Sequence, residues 1–181
     1  MSISKITKSL ESSKDTQFPP VELWNPELCE GQEIKINREG AWFYNNSIIK
    51  NQKLVNLFAS VLRKDDDNYF LVTPSEKVPV KVEIAPYMIE DFKMHDNTIE
   101  LITNLNYSFL LDQANLIRLK EIEGIYLPLI KVRNSIEAFF NRNTYYRIID
   151  LALENNLIKN NTLFIKSNSN LYPVGKVAQE A

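Results

Sequence analysis

The chain has one cysteine, one histidine and four glycines in 181 residues, and each scarcity removes a class of chemistry. The single thiol, Cys29, cannot close an internal disulfide, which fits a reducing, cytoplasmic setting. One Cys and one His cannot assemble a zinc site of the usual kind. With glycine only at Gly31, Gly40, Gly124 and Gly175, there is no glycine-rich phosphate loop and no Gly-x-Ser-x-Gly nucleophile elbow. No apolar run approaches the roughly 20 residues of a membrane span, and residues 1–16 hold no stretch of signal-peptide length. Clustered basic charge is missing too. The formal net charge is −2, with Lys, Asp and Glu interspersed, so no basic stripe is available to displace counterions from duplex nucleic acid.

What the chain has instead is 20 Asn, 19 Ile and 15 Lys against 6 Arg, the signature of an AT-rich coding sequence. In so lysine-rich a chain, an arginine is expected where a planar, bidentate fork must meet a carboxylate or phosphate.

Periodicity divides the chain into a polar N-terminal segment, 1–17, and two α+β stretches, 18–84 and 85–181. Ile3, Ile6 and Leu10 stand at helical spacing in the first. Phe18 to Pro26 is an extended, proline-fixed arm anchored by Trp24. Strands are expected at 33–37 and 41–45 about a Glu39-Gly40 turn, followed by an amphipathic helix over 52–63. A turn at 65–68 and strands at 69–73 and 77–84 complete this stretch. Ala85-Pro86 opens a crossover through the acidic segment 90–97. Further strands are expected at 98–103, 107–111, 115–119 and 125–132, a second amphipathic helix at 142–154, and short strands at 162–166 and 171–174. Residues 49–62 lie over 140–153 with Leu54 on Tyr145 and Phe58 on Ile149. This predicts a duplicated strand–helix–strand unit with a cleft where the copies meet, although two unrelated amphipathic helices would also align.

Most chemistry is excluded residue by residue. His95 sits among acidic neighbours as a solvated loop histidine rather than half of an acid–base pair, and Cys29 has no histidine nearby to activate it. Asp65-x-Asp67 with Glu76 at the twelfth place has the outline of a calcium loop, but Phe70 stands where glycine is required. No catalytic residue, metal or cofactor is assigned. What remains is a polar constellation: Arg38 and Glu39 at a turn, Trp42 and Tyr44 on one strand face, Thr73, Glu76 and Lys77 about a strand end, and Arg133 and Arg142 around the start of the second helix. Cationic forks, acceptors and an aromatic platform suit an anionic, planar ligand such as a nucleotide. The competing arrangement pairs Arg38 with Glu76 and Arg133 with Glu137, and buries Trp42 in the core.

Several ordered blocks carry a resemblance: Pro19-Pro20-Val21-Glu22-Leu23-Trp24-Asn25-Pro26, Arg38-Glu39-Gly40-x-Trp42-x-Tyr44, Val61-Leu62-Arg63, Leu71-Val72-Thr73-Pro74-x-Glu76-Lys77 and Val132-Arg133-x-x-Ile136-Glu137-Ala138. From Phe18 to Gly175 the chain resembles the uncharacterised bacterial family called domain of unknown function 1285. The resemblance implies two domains with a duplicated core, the C-terminal one superficially like pleckstrin-homology folds. It also implies a nucleotide-like ligand at the domain interface and a signalling role, with no reaction attached. Arg38, Arg63, Arg118, Arg133 and Arg142 fall on arginine positions of the family pattern, which adds Arg63 and Arg118 to the ligand-binding set. The chain departs from the pattern at Glu39, where the family usually shows Asp, and at Asn115-Leu116-Ile117-Arg118, where a His-Pro-Leu-Arg element stands. The functional expectation is a non-enzymatic module binding a small anionic ligand. The alternatives are a protein-interaction adaptor using an uncovered strand edge, and an enzyme with Glu76 or Glu39 as general base.

Overall fold

A computed structural model describes residues 18–29 and 31–177. The polar segment 1–17, with its helical spacing of Ile3, Ile6 and Leu10, lies outside them. Among the described residues the chain is mostly β, with two α-helices and two six-stranded sheets. It divides into two compact units, Met1–Pro86 and Tyr87–Ala181.

In the N-terminal unit, β1 (Ile34–Ile36), β2 (Trp42–Tyr44) and β3 (Ser47–Ile48) form one antiparallel meander. Helix α1 (Gln52–Ser60) follows, and β4 (Leu62–Asp65), β5 (Asn68–Val72) and β6 (Lys77–Val82) form a second meander. β1 runs parallel to β6, giving the order β3-β2-β1-β6-β5-β4. Strand alternation sorts the side chains. Ile34, Ile36, Trp42 and Val80 are buried, and α1 adds Val55, Phe58 and Ala59 to the core, with the Trp42 and Phe58 rings 6.4 Å apart. The opposite row aligns Phe43, Lys35 and Lys81 across three strands.

The side chain of Asn51 caps α1 by accepting from the N–H groups of Lys53 and Leu54. The helix ends at Ser60, short of the expected 63. The apolar period runs on through Val61 and Leu62, but Leu62 pairs with Leu71 and opens β4.

In the C-terminal unit, β7 (Tyr87–His95), β8 (Thr98–Thr103) and β9 (Ser108–Leu110) form one meander, and β10 (Ile117–Ile122), β11 (Ile125–Arg133) and β12 (Ile136–Phe140) another. β7 runs parallel to β12, and the order is β10-β11-β12-β7-β8-β9. Both six-stranded sheets therefore follow one rule: the first strand of the leading meander meets the last strand of the following one. Helix α2 (Arg142–Glu154) comes next, then a three-stranded sheet of β13 (Ile158–Lys159), β14 (Thr162–Ser167) and β15 (Asn170–Lys176). α1 sits between its meanders whereas α2 follows both, so the helices matched in sequence enter their units at different steps. The expected crossover is instead β7, whose Tyr87 and Ile89 are buried while its second half is half-buried to exposed. β12 and β13 were not anticipated.

Buried Ser167 ties the small sheet to the large one, donating to the Leu111 carbonyl at 2.5 Å and accepting the Ile99 N–H at 3.0 Å. α2 is capped by Asn141, whose Oδ1 accepts from Thr144 N–H at 2.8 Å, and Thr144 Oγ1 donates to the Glu90 carbonyl on β7.

Asparagine does here what glycine does in most β proteins. Eleven described non-glycine residues have positive φ and eight of them are Asn, including both central residues of the Asn45-Asn46 and Asn160-Asn161 hairpins. These two-residue turns need left-handed backbone, which Asn tolerates better than other side chains.

Candidate functional site

Arg63 is the most completely engaged of the expected ligand contacts. Its Nε and Nη2 donate to the two carboxylate oxygens of Asp65 at 2.8 and 2.9 Å. Its Nη1 donates to the carbonyls of Val21 and Trp24 at 2.9 and 2.6 Å, and its side chain is only 7% exposed. Arg63 thus fastens the proline arm to the sheet. The arm's side-chain anchor is buried Val21, with Trp24 half-buried. Lys77 Nζ reaches the same carboxylate at 2.6 Å and lies 4.1 Å from the Phe70 ring centre. Hydrogen bonds from Arg63, and then from Lys77, hold the Asp65 carboxyl below its ordinary range. Thr73 and Glu76 build the adjoining turn: Thr73 N–H donates to the Glu76 carbonyl at 2.8 Å, and Glu76 N–H donates to Thr73 Oγ1 at 3.0 Å.

Arg38, Glu39 and Trp42, expected together, separate. Trp42 is 2% exposed and belongs to the core, and Tyr44 stands on the same strand face. Arg38 and Glu39 occupy the β1–β2 turn, where Asn37 Oδ1 accepts from Glu39 N–H at 3.1 Å and from Ala41 N–H at 2.8 Å. This turn borders a groove of about 310 Å³ on the polar sheet face, with Lys35, Phe43 and Glu83 among its lining residues. Glu83 takes a 2.6 Å bond from Lys35 Nζ, which with the Arg38 N–H holds its carboxyl below the usual range. Among the described residues the Arg38 guanidinium has one polar contact, Nε to Glu83 at 3.5 Å, and its side chain is 63% exposed. The expected Arg38–Glu76 pair is not formed, because Glu76 stands at the β5–β6 turn. A second groove of about 480 Å³, which includes Gly31, Gln32 and Lys81, shares Glu33 and Asn46 with the first.

The arginines of the C-terminal unit are dispersed. Arg118 forms a fork to Glu137 at 2.6 and 2.8 Å, in place of the expected Arg133–Glu137 pair. Arg133 lies beside Tyr87; burial pushes that phenol up while the guanidinium pulls the other way. Arg142 donates from Nε to the Tyr146 hydroxyl at 3.3 Å and stacks on its ring. The remaining arginine, Arg147, pairs with Asp91 at 2.6 Å. Glu39, one of the two carboxylates considered as general bases, is exposed at its turn. Asp65, Glu83, Asp91 and Glu100 are all shifted downward, chiefly by bonds from Arg63, Lys35, Arg147 and Ser108 respectively. His95 lies at the end of β7 with its Nε2 2.8 Å from Glu100. Among the described residues no three His, Cys, Asp or Glu side chains are grouped to hold a metal, and no helix is long and apolar enough to cross a membrane.

Sequence reasoning missed a cavity of about 400 Å³ in the C-terminal unit. Its walls come from 94–97, 151–157 and 165–169, the first more than fifty residues from the others, so no local motif announces it.

Residues 19–85 match the family model described as domain of unknown function (DUF1285), N-terminal domain, and residues 84–174 match the corresponding C-terminal domain. A crystal structure of a DUF1285 family protein from Silicibacter pomeroyi DSS-3 is similar over 95% of both chains, with 28% identity and a TM-score of 0.79. Another, from Shewanella baltica OS155, is similar over 65% of this chain and 90% of its own, with 29% identity and a TM-score of 0.54. No curated protein matches the chain.

Proposed function

The chain belongs to the DUF1285 family, and from that premise we propose that it is a non-catalytic module whose N-terminal unit binds a small anionic, nucleotide-like ligand. The observation that carries this is the state of Arg38. Arg63 and Arg118 each fork onto a carboxylate at 2.6–2.9 Å, whereas Arg38 touches Glu83 only at 3.5 Å and is largely exposed. Glu83 is meanwhile held tightly by Lys35, so a ligand anion can take Arg38 without stripping Glu83 of its main partner. Phe43 lies on the same groove and offers a ring for a planar base, and the amides of Asn37 and Asn46 offer donors.

Calorimetry with ADP, GDP and inorganic pyrophosphate tests this. Binding should weaken at least tenfold in Arg38→Ala and fall with added salt. Absence of heat for all three, or unchanged binding in the variant, would reject it. A protein-interaction role is the second reading, favoured by Leu110, half-exposed on edge strand β9. Loss of a captured partner in Leu110→Lys would favour it. The internal duplication and the pleckstrin-like character of the C-terminal half belong to the same proposal. The common strand order supports the first, and the helix that follows a six-stranded sheet supports the second.

A further inference from the structure

The 400 Å³ cavity of the C-terminal unit is framed by the β7–β8 turn, the C-terminal end of α2 and the β14–β15 hairpin. Its size falls at the small-molecule end of the roughly 300–1,000 Å³ range of ligand sites. The frame is tied together: Asn168 N–H donates to the Asn97 carbonyl at 2.6 Å, and Thr98 Oγ1 donates to Asn168 Oδ1 at 2.7 Å. Leu151, Leu157 and Met94 supply accessible apolar lining, with Ile165 fully buried beside them. The lining residues include one acid, Asp96, and one base, Lys166, both exposed and neither paired with the other nor with any other described residue. The side-chain amide of Asn97 is likewise unengaged, and Asn155 uses only its Nδ2, donating to the Leu151 carbonyl at 2.7 Å.

We propose that this cavity binds a free α-amino acid with an apolar side chain, its ammonium at Asp96, its carboxylate at Lys166 and its side chain on Leu151, Leu157 and Met94. The charges decide the class. A simple carboxylate would meet Lys166 but be repelled by Asp96, and a simple amine would meet the reverse. A zwitterion satisfies both, and the unengaged amides add neutral hydrogen bonds. This site is separate from the Arg38 groove, so either can fail without the other.

The test is NMR titration of the full chain with L-leucine, L-methionine and L-phenylalanine, following the side-chain amides of Asn97, Asn155 and Asn168. The matched controls for leucine are leucinamide, which lacks the carboxylate, and 4-methylpentanoate, which lacks the ammonium. At least one amino acid should shift these amides, and both leucine controls should bind about tenfold more weakly or not at all. Asp96→Asn and Lys166→Met, both at exposed positions, should each weaken amino-acid binding about tenfold with unchanged thermal melts. Lys166→Met should also abolish the preference for leucine over leucinamide. No amide shift with any of the three amino acids at about 10 mM would overturn the proposal, as would equal binding of leucine and its controls, or binding indifferent to both substitutions.

Discussion

Replacing Arg63 by methionine keeps most of the apolar stem and removes the fork. The carbonyls of Val21 and Trp24 then lose their donor, and Asp65 keeps only Lys77. Each hydrogen bond to a charged group contributes about 1.5–3 kcal/mol, and truncating one partner of a buried pair costs about 3–5 kcal/mol. Because Asp65 is one-third exposed and retains a 2.6 Å partner, the low end applies, about 3 kcal/mol. A unit of this size has roughly 4–10 kcal/mol in total, so the loss is a large fraction of its stability. The assay follows from composition. The chain has two tryptophans, Trp24 and Trp42, both in the N-terminal unit, so their fluorescence during urea unfolding reports that unit alone. At an m-value of about 1.5 kcal/mol/M the midpoint should fall by about 2 M, and amide exchange over 21–28 should accelerate. Arg118→Met, which breaks a pair whose guanidinium is half-exposed and whose carboxylate is 13% exposed, should cost less, about 1–2 kcal/mol by circular dichroism. A midpoint shift under about 0.5 M in Arg63→Met, with exchange of the arm unchanged, would refute the assignment of Arg63 as the tie.

Three further outcomes are expected. The Trp42 indole N–H is buried without a partner among the described residues, so in Trp42→Phe the lost volume is offset by removing an unsatisfied donor. The cost should be about 1–2 kcal/mol against about 3–5 for Trp42→Ala, and urea unfolding decides; a Phe penalty above about 3 kcal/mol would mean the donor is satisfied. Gly175→Ala places a methyl 3.0 Å from Tyr145 Oη and 3.3 Å from Ile149 Cδ1, so it should lower stability by about 1 kcal/mol, and Tyr145→Phe should restore part of that in the double mutant. The folded pKa of Asp65 is depressed, so its contribution is complete above about pH 4 and disappears as pH falls through that lower value. Urea midpoints between pH 6 and pH 2.5 should show an acid-side decline that is smaller in Asp65→Asn.

Local signals were legible and distant partners were not. The second helix follows the expected 142–154 because its apolar spacing and the Asn141 cap are contained within the segment. The first helix ends early because Leu62 finds Leu71 across a hairpin, a pairing that helical periodicity does not register. Segment 90–97 looked like a polar loop because the second half of β7 gains its order from β8. The arginines show the same limit. Arg63 bonds carbonyls about forty positions away, and Arg118 reaches Glu137 because β10, β11 and β12 are adjacent. Arg38 was correctly placed at a turn, and its turn borders a groove, but the aromatic side chain on that groove is Phe43 rather than Trp42. The abundant asparagines, attributed to codon bias, also serve as the left-handed corners of the hairpins.

The parallel seam in each large sheet has a consequence for biosynthesis. β1 can form a hairpin with β2, and β2 with β3, as soon as they leave the ribosome, yet the other edge of β1 waits for β6, more than forty residues later. Until then the nascent chain presents an unfinished template to any passing strand. A premature stop before Lys77, or one before Ile136 that leaves β7 without β12, therefore leaves these sheets unsealed, and each half must be synthesised to its final strand before its margins are safe.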